Sequence, residues 1–150
     1  QLTTGFETWR WRHGCCPCPV RASHWFAMVE AAKGAQRSAV RDKSFAFAIR
    51  VVNAYKHISA THREYVLSKQ MLRSGTAIGA LVREAEQAES RQDFLHKLRV
   101  ALKEATETEY WLLLLRETGF LAPRAFTSLH RDLLELLRLL TSIINTTRLK

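Results

Sequence analysis

After residue 43, apolar positions recur at steps of three and four, the spacing of a helical face and not the alternation of a strand. Residues 43–58, "KSFAFAIRVVNAYKHI", set Phe45, Ile49 and Val52 on one stripe and Phe47, Val51, Ala54 and Ile58 on its neighbour. The polar run "SATHRE" breaks the pattern and places the end of a first helix near Ile58. A second seam passes through Leu67, Met71, Ser74, Ile78, Leu81, Ala85 and Ala88. A third passes through Phe94, Leu98, Ala101, Ala105, Thr108, Leu112 and Leu115. Both keep the alternating four-three step without a break, as helices that pack along their length require. Leu129, Leu133, Leu136, Leu140 and Ile143 give a fourth segment the same seam.

The residues between the seams agree with this division. Ser90 and Asp93 fit a capping box, in which each side chain satisfies a free N–H at the other end. Gly119 follows the third seam and can take the left-handed conformation that ends a helix. Pro123 suits the first turn of the fourth. Four helices joined by short loops predict an all-α protein, an antiparallel up-down-up-down four-helix bundle over residues 43–150.

Gly75 and Gly79, in "MLRSGTAIGALVREAEQAES", raise a different possibility, a loop that cradles phosphate. Such a loop ends in Gly-Lys-Ser/Thr after an apolar strand. Here a helical seam runs straight through the glycines and no Lys-Ser follows. A glycine costs about 1 kcal/mol against alanine in a helix interior, so two of them predict close approach of a neighbouring helix. The fourth helix is broadened by Leu134, Leu137, Leu139 and Ile144, an apolar girth greater than one bundle core covers. This predicts a homo-oligomer with Leu133, Leu134, Leu136, Leu137, Leu139 and Leu140 at the subunit contact.

Residues 1–42 are expected to form an irregular or disordered N-terminal extension, and residues 1–27 lack this periodicity. Residues 1–27 hold Trp9, Trp11, Trp25 and all three cysteines, in "HGCCPCP". A zinc knuckle from His13, Cys15, Cys16, Cys18 and His24 would need cysteines two to four residues apart, which adjacent cysteines between prolines do not supply. A leader preceding a native start at Met28 is the simpler reading, with no metal. The cysteine-free remainder suits a reducing compartment. No apolar run nears the roughly 20 residues that span a bilayer. The expectation is a cytoplasmic protein without a membrane partner.

Composition, 47% hydrophobic and 25% charged over 150 residues, is that of one folded domain. The net charge of +9 favours polyanionic partners. Lys69, Arg73 and Arg83 fall within about 80° on the second helix at about 100° per residue. Arg99 and Lys103 share a face of the third with His96, and Arg124, Arg131 and Arg138 recur every seven residues on the fourth. These eight cations are the candidate contacts to RNA or DNA; the plainer alternative is solvated helix faces. Without interleaved aromatics, binding would be salt-sensitive and weakly sequence-specific. His57, His62, His96 and His130 share no spacing, and the Glu-x-x-His of a di-iron bundle is absent from the bundle segment. Glu104, Glu107 and Glu109 cluster, with Glu104 and Glu107 expected to pair with nearby bases, and Glu84 is expected in a structural ion pair. No catalytic residue and no cofactor are assigned.

Three segments carry a resemblance: "KSFAFAIRVVNAYK", "YVLSKQMLRSGTAIGALVREAEQAES" and "DFLHKLRVALKEATETEYWLLLLRETGFL". They resemble the bacterial four-helix-bundle proteins encoded inside intervening sequences of large-subunit ribosomal RNA genes, a group that includes accessory proteins of diversity-generating retroelements. The likeness runs from Lys43 to Leu121 and rests on Leu-x-Arg-Ser, Ile78, Glu84, Ser90, Asp93-Phe94, Ala101-Leu102, Glu107 and Glu109 together. That family usually has serine at the place of Ala77 and asparagine at the place of Leu81, so hydrogen bonds made there by relatives do not carry over. The resemblance implies a small cytosolic bundle with no known enzymatic activity that assembles into a ring-like homopentamer. Where relatives have a role, it implies a scaffold touching nucleic acid and a reverse transcriptase through a basic surface. The alternative from another class is a protein-interaction or structural module whose charge only keeps it soluble.

Overall fold

Four helices carry the residues that this computed structural model describes, 20–149, with side chains described from residue 38: α1 (Val20–His62), α2 (Leu67–Glu86), α3 (Arg91–Glu117) and α4 (Pro123–Arg148). No strand occurs among the described residues. The chain divides into two units, Gln1–Ala32 and Lys33–Lys150. In the first, the described part is helical backbone from Val20. The second holds the packed helices.

The first helix corrects the expectation of an irregular extension through residue 42, because α1 is already helical from Val20. Its buried seam is Val40, Ser44, Phe47, Val51 and Ile58. The four-three step continues back from Phe47 through a serine, which carries no hydrophobic signal. Ser44 is small where α2 comes close: a Cβ added to Gly79 would lie 3.5 Å from the Ser44 carbonyl oxygen. The helix also runs past Ile58 to His62. His13 and the three cysteines lie outside the described residues, as does the His24 side chain.

A short link with Arg63 at φ 53° leads to α2. Glu64 closes that helix's start: its carboxylate accepts from the backbone N–H groups of Val66 (2.8 Å), Leu67 (2.7 Å) and Ser68 (2.8 Å). Three of the donors that every helix start leaves unpaired are thereby satisfied. Burial pushes the Glu64 carboxyl up, but the hydrogen bonds from Leu67, Ser68 and Val66 outweigh it and hold the group below its ordinary range.

At α3 the expected cap is present in one direction, with the Ser90 hydroxyl accepting from the Asp93 N–H at 3.1 Å. All of its predicted seam except the half-buried Phe94 is buried. Gly119, at φ 78°, turns the chain out of α3, and Pro123 opens α4.

Cross-helix contacts fix the neighbours. Gly75 and Gly79 lie against Val51 and Ser44 of α1. Between α2 and α3, the Thr108 hydroxyl meets that of Ser74 at 3.0 Å, and Lys97 meets Glu84 at 2.8 Å. Glu109 of α3 meets His130 of α4 at 2.8 Å. Lys43 meets Glu135 at 2.6 Å, and Arg50 bonds Asp132 and the Ser128 hydroxyl, tying α1 to α4. Within each pair of helices, residue numbers rise on one as they fall on the other. Phe47, Met71, Ile78, Leu98, Leu112, Leu133 and Leu136 fill the shared core at 0–1% exposure. Each such side chain contributes about 1.5–3 kcal/mol relative to an exposed one.

Candidate nucleic-acid interface

All eight cations singled out by the sequence stand exposed on their helices. They do not form one patch. The contacts above tie α1 and α3 each to both α2 and α4, so α2 and α4 stand across the core. The α2 cations Lys69, Arg73 and Arg83 are thereby separated from those of α4. Arg83 is also engaged, its guanidinium carbon 5.3 Å from the Phe45 ring centroid. Arg131 lies 3.7 Å from Asp132, a carboxylate already held by Arg50.

The α3 and α4 cations stand on adjacent helices. Extending the Glu109–His130 pairing along oppositely directed helices sets Arg138 at a level between Arg99 and Lys103. None of these three makes an ion pair among the described residues, and the same holds for Arg124, Lys69 and Arg73. Beside Arg138, an open groove on α4 is lined by Leu134, Leu137, Thr141, Ser142 and Asn145. Cations flanked by hydroxyl and amide groups are the usual equipment for phosphate and sugar contact.

Other charged groups serve the fold. Arg50, in a mostly apolar helix, reaches Asp132 and Ser128 across 82 and 78 residues of chain. Glu84 forms the structural ion pair expected of it, although it is exposed. Its hydrogen bond and then its charge hold the Lys97 ammonium above its ordinary range, with a smaller contribution from Asp93. On α3 and α4, His130 bonds Glu109 and stacks on Phe126 at 5.0 Å, with Arg116 over the far ring. The expected pairing of Glu107 with a base is not what occurs: its carboxylate accepts from Trp111 Nε1 at 3.1 Å. Glu104 makes no ion pair among the described residues.

The six leucines expected at a subunit contact divide. Leu133, Leu136 and Leu140 are 0–1% exposed in the chain's own core, which corrects their assignment to an outer surface. Leu134, Leu137 and Leu139 are half-buried. Within the helices, the large exposed apolar residues lie elsewhere, Phe45 and Ile49 on α1 and Tyr110 and Leu113 on α3. Sequence periodicity had registered the Phe45 stripe but offered no way to decide whether it or the Phe47 stripe faced inward.

Among the described residues, no group of three His, Cys, Asp or Glu is placed to hold a metal ion, and no helix is long and apolar enough to cross a membrane.

Comparison with known proteins agrees with this architecture. The family model described as 23S rRNA-intervening sequence protein matches residues 36–142, beginning seven residues before the Lys43 boundary of the resemblance and reaching well into α4. A crystal structure from Bacteroides thetaiotaomicron, described as a protein of unknown function from the S23 ribosomal protein family, is 53% identical with a TM-score of 0.73. The match covers 73% of this chain and 98% of that one. No curated protein matches the chain.

Proposed function

Because the chain belongs to the 23S rRNA-intervening sequence protein family, we infer that it is a non-enzymatic helical scaffold whose basic surface contacts the phosphate backbone of RNA or DNA. The observation that carries this reading is that Arg99, Lys103 and Arg138 are exposed and without carboxylate partners at a similar level of the adjacent helices α3 and α4, Arg138 standing beside the Thr141–Asn145 side of α4. Unpaired cations retain their full attraction for phosphate, and each phosphate contact releases bound counterions. Because the contacts are to backbone and not to base edges, recognition follows charge and shape more than sequence.

The same reading takes the helices as an up-down-up-down bundle that works as a cytoplasmic homo-oligomer, a closed ring of about five copies. In a ring the modest patch of one chain is repeated, so phosphate contacts add. A ribonucleoprotein or a reverse transcriptase fits as the further partner of such a scaffold. The second reading, a protein-interaction module, is favoured by the exposed Phe45–Ile49 stripe, which suits a protein surface better than a nucleic acid.

Anisotropy of a labelled RNA hairpin separates the two. Binding in the micromolar range at about 50 mM salt supports the scaffold, whereas no binding there leaves the interaction module.

A further inference from the structure

Phe45 and Ile49, one turn apart on α1, are 55% and 48% exposed. Val52, half-buried, continues the stripe, and the exposed Lys56 extends it by another turn. The core has no use for this face, since α1 packs inward through Phe47 and Val51. Arg83 reaches over from α2 onto the Phe45 ring. The stripe is therefore apolar with a cationic rim.

A surface of opposite character lies on the other flank of α2, where Ser74 and Glu84 face α3. Glu104 and Glu107 stand one turn apart there, next to the half-buried Trp111. The Ser74–Thr108 and Glu84–Lys97 contacts put Ala77 level with Glu104 and leave the half-buried Leu81 nearby. Neither Glu104 nor Glu107 has a cationic partner among the described residues. On a chain of net charge +9, two carboxylates left this way beside an indole are conspicuous.

Building on the homo-oligomer reading, we propose that these two surfaces meet between copies of the chain. The Phe45–Ile49 stripe of one copy docks head to tail against the α2/α3 surface of the next, with Arg83 and Lys56 toward Glu104 and Glu107. An acidic foreign helix would match the stripe but leave the carboxylates unmatched; a second copy satisfies both. Burying Phe45 and Ile49 supplies the attraction that chains of like net charge need. Two different surfaces on one chain make a heterologous contact, which closes into a ring when the rotation between neighbours divides the circle. The contact uses neither Arg99 nor Arg138.

The test is the solution mass of the full chain by sedimentation and light scattering, at about 150 mM salt. Wild type should be a multiple of the 17.2 kDa chain. Phe45→Glu and Ile49→Glu should sediment at 17.2 kDa with unchanged helical circular dichroism, since both positions face solvent in the single chain. Arg83→Glu and Glu107→Arg should each weaken association about tenfold, and the double variant should regain it, because the reversed pair is again complementary. Wild-type mass in both apolar variants, or a double variant no better than the worse single one, overturns this contact while leaving an oligomer by another surface. A monomeric wild type sinks the contact and the oligomer reading together. Hairpin binding is scored separately, so its failure bears on the phosphate reading alone.

Discussion

Gly75 and Gly79 occupy equivalent places on α2, one turn apart and both toward α1, yet alanine should have opposite effects at the two. A methyl on Gly79 would meet the Ser44 carbonyl oxygen at 3.5 Å and the Ser44 hydroxyl at 3.7 Å, ordinary contact distances. Nothing need move, so Gly79→Ala gains the helix propensity of alanine, up to about 1 kcal/mol. A methyl on Gly75 would lie 2.9 and 3.0 Å from the two γ-methyls of Val51. Val51 is fully buried, and a valine in a helix holds essentially one χ1 rotamer, so it has nowhere to turn. Overpacking of this kind costs about 1–3 kcal/mol, which outweighs the propensity gain. The two variants should differ by about 1–3 kcal/mol, or several degrees in melting temperature. Chemical denaturation of both, and of each in a Val51→Ala background, measures this. Removing the γ-methyls should relieve Gly75→Ala selectively, giving coupling between positions 75 and 51 and little between 79 and 51. If Gly75→Ala stabilises as much as Gly79→Ala, the close approach of α1 and α2 at Val51 is wrong.

Two further outcomes follow from single contacts. Glu64 has its carboxyl lowered below 4.5, so the stability it lends to α2 is fully present above that pH and is lost as pH falls through the folded value. Glu64→Gln should flatten this part of the acid limb of a stability–pH profile, and an unchanged limb would show that the cap does not matter. Asp132→Ala leaves the half-buried Arg50 guanidinium with Ser128 alone and should cost about 1–3 kcal/mol by denaturation, clearly more than alanine at the exposed Asp42.

The legibility of the fold varied with how sharply polar residues bounded each seam. On α3 every buried residue was on the predicted stripe, because charged residues flank it. The start of α1 was hidden because its seam passes through Ser44, a residue chosen for size and not for hydropathy. On α4 the leucines are too dense to reveal a face; only packing shows that Leu133, Leu136 and Leu140 point inward while Leu134 and Leu137 line an outer groove. The cations were legible one helix at a time. Their similar level was not, since it follows only from the pairing of α3 with α4. The Arg50–Asp132 bond was missed for the same reason, although the one arginine of the apolar segment 43–58 and the one aspartate of the leucine-rich α4 were a usable hint.

The phosphate-contact reading stands or falls on the salt dependence of RNA binding. Affinity for a labelled hairpin, measured from about 50 to 200 mM salt, should fall linearly on logarithmic axes with a slope of about −0.7 to −0.9 per phosphate contacted. Neutralising Arg99, Lys103 and Arg138 to glutamine should make that slope shallower by about two to three per chain engaged and weaken binding equally for unrelated sequences. Binding that keeps its wild-type slope without these three cations, or that ignores salt altogether, would contradict the assignment of the α3/α4 surface.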